Sequence, residues 1–171
     1  MGYIKGLSNL GVDKNPKYME PWLVAIGRYM LNFGAVELVS YKYLNSLEES
    51  EEELLKNTKK LLSKRIERIE ELLSNSKLKN KEEMLFHWGK AREFSQWRNR
   101  IAHNPVLPVW KQGSDPERSP PDLIGISDMR QLTKESKVTD SISLEGLNKL
   151  SDITVQMAER LHELSEEIKH A

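Results

Sequence analysis

Cysteine is missing from all 171 residues, so neither a disulfide nor a thiolate metal site can belong to this protein. Charge of one sign is missing too: 26 Lys and Arg balance 26 Asp and Glu. A general nucleic-acid coat protein carries a clear basic surplus, so that class is excluded while a local basic site is not. No run of about 18 apolar residues is present to span a bilayer. Met1-Gly2-Tyr3-Ile4-Lys5-Gly6 lacks the apolar centre of a signal peptide. No membrane partner is therefore expected, and a soluble, cytoplasmic protein is the simplest reading. There is no Gly-rich phosphate loop and no internal repeat.

What is present is helical periodicity. The chain is 38% hydrophobic and 30% charged, which suits helices with extensively solvated faces. After an irregular arm over residues 1–18, a first helix is expected from about Met19 to Leu47. Its stripe is Trp22, Ile26, Met30, Phe33, Tyr41, Leu44 and Leu47. Gly27 and Gly34 cost helix propensity there, and close approach of a neighbouring helix is the expected use. A second helix, about Glu51 to Leu73, buries Leu55, Leu62, Ile66, Ile69 and Leu73. Lys59, Lys60, Lys64, Arg65 and Arg68 sit among Glu67, Glu70 and Glu71, which reads as a solvated face more readily than as an RNA-binding one.

The third helix, about Lys81 to His103, is apolar over most of its circumference and is expected to be central, packing inside the bundle and against a second subunit. Trp88 and Trp97 read as core or interface anchors, with base stacking the lesser alternative. His87 reads as a structural histidine, since no second histidine sits at metal-ligand spacing from it. Residues 106–142 change character: short apolar runs at 106–111, 123–126 and 138–143 flank a stretch rich in Pro, Ser and Gly. A fourth helix from about Leu144 to Lys169 keeps Leu147, Leu150, Met157, Leu161, Leu164 and Ile168 at heptad-like spacing, with Thr154 in one apolar slot. His162 and His170 read as surface residues. The expected fold is all-α: a single domain, residues 1–171, forming an antiparallel four-helix bundle. A small loop or β-hairpin insertion, 106–142, separates helices three and four, either as a lid beside the site or as a plain connection.

Chemistry concentrates at Arg98-Asn99-Arg100-Ile101-Ala102-His103-Asn104-Pro105. Phe94, Trp97 and Ile101 mark the buried face, while Arg92, Gln96, Asn99 and His103 line up opposite. Asn104 precedes a proline and is pushed out of the α region, so the helix stops near His103. A base at a helix C-terminus beside a fixed cation suits chemistry at a phosphate. Glu37 interrupts the apolar stripe of the first helix and needs a partner if buried. Either that stripe is locally exposed, or Glu37 pairs with some Lys or Arg, or it faces Arg98 and holds the guanidinium in position. The bland reading of the whole motif is a salt bridge from Arg98 to Glu37 and a histidine closing a helix.

Arg98, Asn99 and His103 also fit the pattern of Arg, a polar residue, a few arbitrary residues and His. With Ile101-Ala102 before the histidine and Asn104-Pro105 after it, the stretch resembles the signature of the HEPN superfamily, small all-helical domains many of which are metal-independent ribonucleases. Gly34, three residues before Glu37, resembles the first helix of some members. The resemblance covers about residues 20–105 and the last helix. It implies RNA as substrate, no cofactor and no metal, and a composite cleft at a homodimer interface. His103 would be the general base or acid. Arg98 would neutralise charge at the phosphorane-like centre. Asn99 would position the phosphate or orient the histidine, while Arg92, Gln96 and Arg100 would bind flanking phosphates. It further implies toxin, phage-defence or RNA-processing roles, in which toxin members often pair with an antitoxin or nucleotidyltransferase. The composite cleft answers a geometric difficulty, since Arg98 and His103 are five residues apart and point about 140° apart on a helix. Unwinding of the helix end, or wrapping of the long Arg98 side chain, are the other ways to bring them together.

Overall fold

The computed structural model describes residues 16–104, 106–115, 118–127 and 138–168. In order come α1 (Pro16–Leu47), α2 (Glu51–Thr58), α3 (Leu62–Asn75), α4 (Lys81–His103), β1 (Val106–Val109), β2 (Leu123–Ser127), β3 (Val138–Ile142) and α5 (Leu144–Ile168). The protein is thus mostly helical with a small antiparallel sheet. Residues 16–18 are already helical, which shortens the expected arm; residues 1–15 and His170 lie outside the described residues. The chain groups into two units, 1–29 with 99–150, and 30–98 with 151–171.

In the larger unit, Val36, Val39, Tyr43 and Leu44 of α1 pack with Ile66, Ile69 and Leu73 of α3. Met84, Trp88 and Ala91 of α4 and Met157, Ala158, Leu161 and Leu164 of α5 complete this core. Each set recurs at three- and four-residue steps, so each helix buries one stripe. Thr154 is buried in the α5 stripe, as its spacing requires. Tyr43 and Trp88 meet edge to face with centroids 5.1 Å apart. Asn32 of α1 donates to the Ser151 hydroxyl (2.9 Å) and carbonyl (3.2 Å) of α5.

The expected second helix is two helices. Ser50 caps α2, its hydroxyl accepting from the Glu53 N–H at 3.2 Å, and three glutamates fill the first turn. Asn57 and Thr58 are poor helix formers, and the chain turns at Lys59 before restarting at Leu62. Leu55, expected in the core, is therefore exposed, while Ile66, Ile69 and Leu73 are fully buried.

In the smaller unit, β1, β2 and β3 form an antiparallel meander, one strand more than a hairpin. Val106 faces Ile126, Val109 faces Leu123, and Ile124 faces Ile142; the register slips between Ile126 and Ser127. Pro108 is tolerated because β1 is an edge strand. The β1–β2 connection turns at Gly113, whose φ is 93°. Met19, Trp22, Ala25, Tyr29, Ile101, Leu107, Ile124, Ile126 and Leu147 are buried in this unit.

Two helices differ from expectation in how they face. The buried stripe of α1 runs through Trp22, Ala25, Tyr29, Phe33, Val36 and Tyr43, so Tyr41 is exposed and Glu37 sits at the edge of the stripe. A helix apolar on both sides leaves the phase of its stripe undetermined by sequence. By length and composition α1 also suffices to cross a bilayer, although Arg28, Asn32 and Glu37 interrupt its apolar residues. Likewise α4 is not buried all round: Met84, Trp88, Ala91 and Ile101 are buried, Phe94 and Trp97 half-buried, and Phe86 and Ala102 exposed. Truncating Ile69 to Ala should cost about 2–5 kcal/mol. Leu61→Ala, at a side chain 79% exposed, should change stability by about 0.5 kcal/mol or less. Urea unfolding of both variants checks the contrast.

Candidate functional site at the end of the fourth helix

α4 keeps α-helical hydrogen bonding to its last residue, and the Asn104 N–H donates to the Arg100 carbonyl at 3.0 Å. The Asn104 side-chain amide donates to the same carbonyl, also at 3.0 Å. The stop expected at His103 is where the helix stops. His103 is exposed there, without a hydrogen-bond or ion-pair partner among the described residues. Asn99 is exposed one turn earlier. Arg100 reaches β3, its NH1 donating to Asp140 Oδ2 at 2.7 Å. The smaller unit therefore carries Asn99, Arg100, His103 and Asn104 at the end of α4 and pairs Arg100 with Asp140, a residue that sequence reasoning passed over. Its only signal was an acid among the β-formers Val138, Thr139 and Ile142.

In the larger unit, Arg92 and Gln96 are exposed and Arg98 is half-buried on α4. Arg92 pairs with Glu70 of α3. The regular hydrogen bonding of α4 rules out an unwound helix end as the means of turning Arg98 toward His103.

Glu37 does not serve Arg98. Its Oε1 accepts from Arg65 NH2 at 2.8 Å, and the Arg65 side chain is only 3% exposed. Arg65 NH1 also donates to the Tyr41 hydroxyl, and the guanidinium lies 4.1 Å over the Tyr41 ring. Arg65 was expected on a solvated face. It lies next to Ile66 on the side of α3 that packs inward, where a charge needs a carboxylate. Periodicity could not single it out from Lys64 and Arg68, because the choice among Arg residues depends on where α1 runs past α3.

A second pair anchors the α2–α3 corner. Arg68 donates from Nε and NH2 to the two Glu48 oxygens, both at 2.9 Å, and Asn57 Nδ2 donates to Glu48 Oε1 at 2.6 Å. The Arg68 fork holds the Glu48 carboxyl below the usual glutamate range, assisted by Asn57 and opposed by burial. At the other end of α4, Arg160 makes a matching fork to Glu83 at 2.7 and 3.0 Å. His87, 3.9 Å from Glu83, is pushed below the usual histidine range chiefly by burial, with Arg160 adding and Glu83 opposing. His162 is exposed beside Lys42, whose Nζ is 3.2 Å from its Nδ1. No group of three or more His, Asp or Glu able to hold a metal ion occurs among the described residues.

Comparison with protein-family models, curated proteins and solved structures finds no match in any of the three.

Two outcomes test these electrostatics. Glu37→Ala leaves a buried guanidinium without its carboxylate and should cost about 3–5 kcal/mol. Glu67→Ala, which breaks an exposed pair with Lys64, should cost about 1 kcal/mol or less; chemical denaturation reads both. The pH dependence should fall in two steps. His87 has a lowered folded value, so its contribution is present above the unfolded value of about 6.5 and is lost as pH falls below it. Glu48 contributes fully above the unfolded value of about 4.3 and loses that contribution as pH drops through its lower folded value. Thermal melts at stepped pH should lose the upper step in His87→Gln and the lower step in Glu48→Gln.

Proposed function

We propose that the chain is a metal-independent endoribonuclease of the HEPN type, an all-α bundle with a small β-sheet insertion. The observation that carries the reading is the exposed imidazole of His103 at the very end of α4, one turn past the exposed Asn99, within the Arg-polar-x3-His pattern. An exposed base at a helix end is accessible to a substrate as large as RNA. In this reading His103 takes the proton of the 2′-hydroxyl, and the freed oxygen attacks the adjacent phosphorus. The bond from phosphorus to the 5′-oxygen breaks, and that oxygen receives a proton. The ends left are a 2′,3′-cyclic phosphate and a 5′-hydroxyl. Arg98 offsets the charge that builds on the phosphorane oxygens. With α4 regular to its end, the two side chains converge most simply when two copies of the chain supply one cleft. A toxin or phage-defence setting, with an antitoxin or nucleotidyltransferase as partner, belongs to the same reading.

The second reading is a non-catalytic helical dimer that binds a protein or a nucleotide. It draws on the pairing of Arg92 with Glu70 and of Arg100 with Asp140, which occupies two cations that flanking phosphates would need. Cleavage of varied RNAs in excess chelator separates the two. The ribonuclease reading expects His103→Ala and Arg98→Ala each to lose at least about a hundredfold in rate, with unchanged helicity. Full activity in His103→Ala would refute it, and no cleavage by the wild type would leave the binding reading.

A further inference from the structure

Leu61 breaks two local rules at once. It is the N-cap of α3, where Ser, Thr, Asp or Asn is favoured and leucine ranks among the poorest choices, and no side-chain hydrogen bond caps the helix. It is also 79% exposed, in the turn between α2 and α3. Beside it, Lys59 and Lys60 are exposed, and their ammonium groups have no hydrogen-bond or ion-pair partner among the described residues. Leu55, one turn before Lys59 on the same face of α2, is exposed as well. A residue that breaks the local rules of its own fold is expected where it serves something outside that fold. We propose that the corner between α2 and α3 docks on an anionic bilayer surface, with Leu61 entering the apolar interface and Lys59 and Lys60 lying on the anionic headgroups.

The charges around the corner choose the partner. Its nearby acids are already answered: Glu53 pairs with Lys56 at 2.8 Å, Glu67 with Lys64 at 2.7 Å, and Glu48 with Arg68 at 2.9 Å. Glu51 stands at the far end of α2, roughly 12 Å from Lys59 along the helix. That exceeds the screening length of about 8 Å at physiological salt. The corner therefore presents two unbalanced cations around an apolar side chain. An RNA backbone would use the lysines and leave the leucine in water, since bases stack on aromatic rings. A bilayer interface uses both, because lysines are drawn to anionic headgroups while the leucine leaves water. The corner is also stiff before it binds. Asn57 and Arg68 meet on the Glu48 carboxylate, Arg65 NH1 donates to the Thr58 carbonyl at 3.4 Å, and the Lys60 N–H donates to the Asn57 carbonyl at 3.2 Å. Docking then orders little beyond the exposed side chains themselves. A surface contact of this kind needs no spanning helix and no leader, the features on which the expectation of no membrane partner rested. The inference concerns the α2–α3 corner alone, within the larger unit, and stands whether or not the chain cleaves RNA.

Co-sedimentation of the intact protein with vesicles of phosphatidylcholine and phosphatidylserine in equal parts is the test. The wild type should bind them, and should bind vesicles of phosphatidylcholine alone at least about thirtyfold more weakly. The double variant Lys59→Gln, Lys60→Gln should lose about thirtyfold on the mixed vesicles. Leu61→Ser should lose about tenfold. Its Tm should rise meanwhile by about 2–4 °C, because serine supplies the missing cap; a variant that melts higher has not lost binding by unfolding. Leu31→Ser, at an equally exposed leucine of α1, should bind as the wild type does. No binding by the wild type, or binding indifferent to Leu61→Ser or to the double lysine variant, overturns the proposal. Binding lost in Leu31→Ser but kept in Leu61→Ser overturns it by moving the lipid contact to α1. Polyuridylate binding that needs Lys59 and Lys60 but not Leu61, without vesicle binding, overturns it in favour of RNA.

Discussion

Burial of Met84, Trp88 and Ala91 fixes the rotation of α4 about its own axis, and with it the side chains that α4 presents to water. These three occupy one stripe at four- and three-residue steps and pack with α1, α3 and α5 in the larger unit. Burying large apolar side chains is worth about 1.5–3 kcal/mol apiece, far more than any surface pair contributes. Arg92, Gln96, Asn99 and His103 follow as the solvent face of the same helix. The proline after Asn104 then ends the helix with His103 still in its last turn. One residue more or fewer between Ala91 and His103 would turn the imidazole by about 100° around the helix.

Zero net charge is realised locally and not merely as a sum. Three guanidiniums make near-ideal forks or buried pairs, Arg65 with Glu37, Arg68 with Glu48 and Arg160 with Glu83. The first two join helices whose contacts define the α2–α3 corner and the α1–α3 packing, and the third joins α4 to α5. The two pairs with a buried member, Arg65–Glu37 and Arg68–Glu48, add little net stability but penalise any alternative arrangement that leaves that member unpaired. Arg92 and Arg100 pair with Glu70 and Asp140 at more exposed positions.

Apolar surface on α1 has two destinations. One face builds cores in both units, from Trp22 to Leu44. The other keeps three large aliphatic side chains in water at heptad spacing, an arrangement that costs solubility unless something covers it. The same double-sided apolarity explains how this helix reaches the composition of a membrane-crossing segment while contributing its inner face to packed cores.

Periodicity and local chemistry determined the elements. The bounds Lys81–His103 for α4, the start of α5 at Leu144, the buried Thr154 and the strand-like runs within 106–142 can all be read from spacing, proline and apolar alternation. These depend on residues within a few positions of one another. The tertiary structure alone decided the rest. It brought Asn57 and Arg68 together on the Glu48 carboxylate, which holds the corner where the second helix breaks at Lys59–Leu61. It gave Glu37 to Arg65 instead of Arg98, and Arg100 to Asp140, because ion pairing is settled by which helices pass within reach and not by charge pattern along the chain. It also set which side of α1 is inside. A sequence apolar on both faces of a helix carries no phase, and only the packing partners of Tyr29, Val36 and Tyr43 supply one.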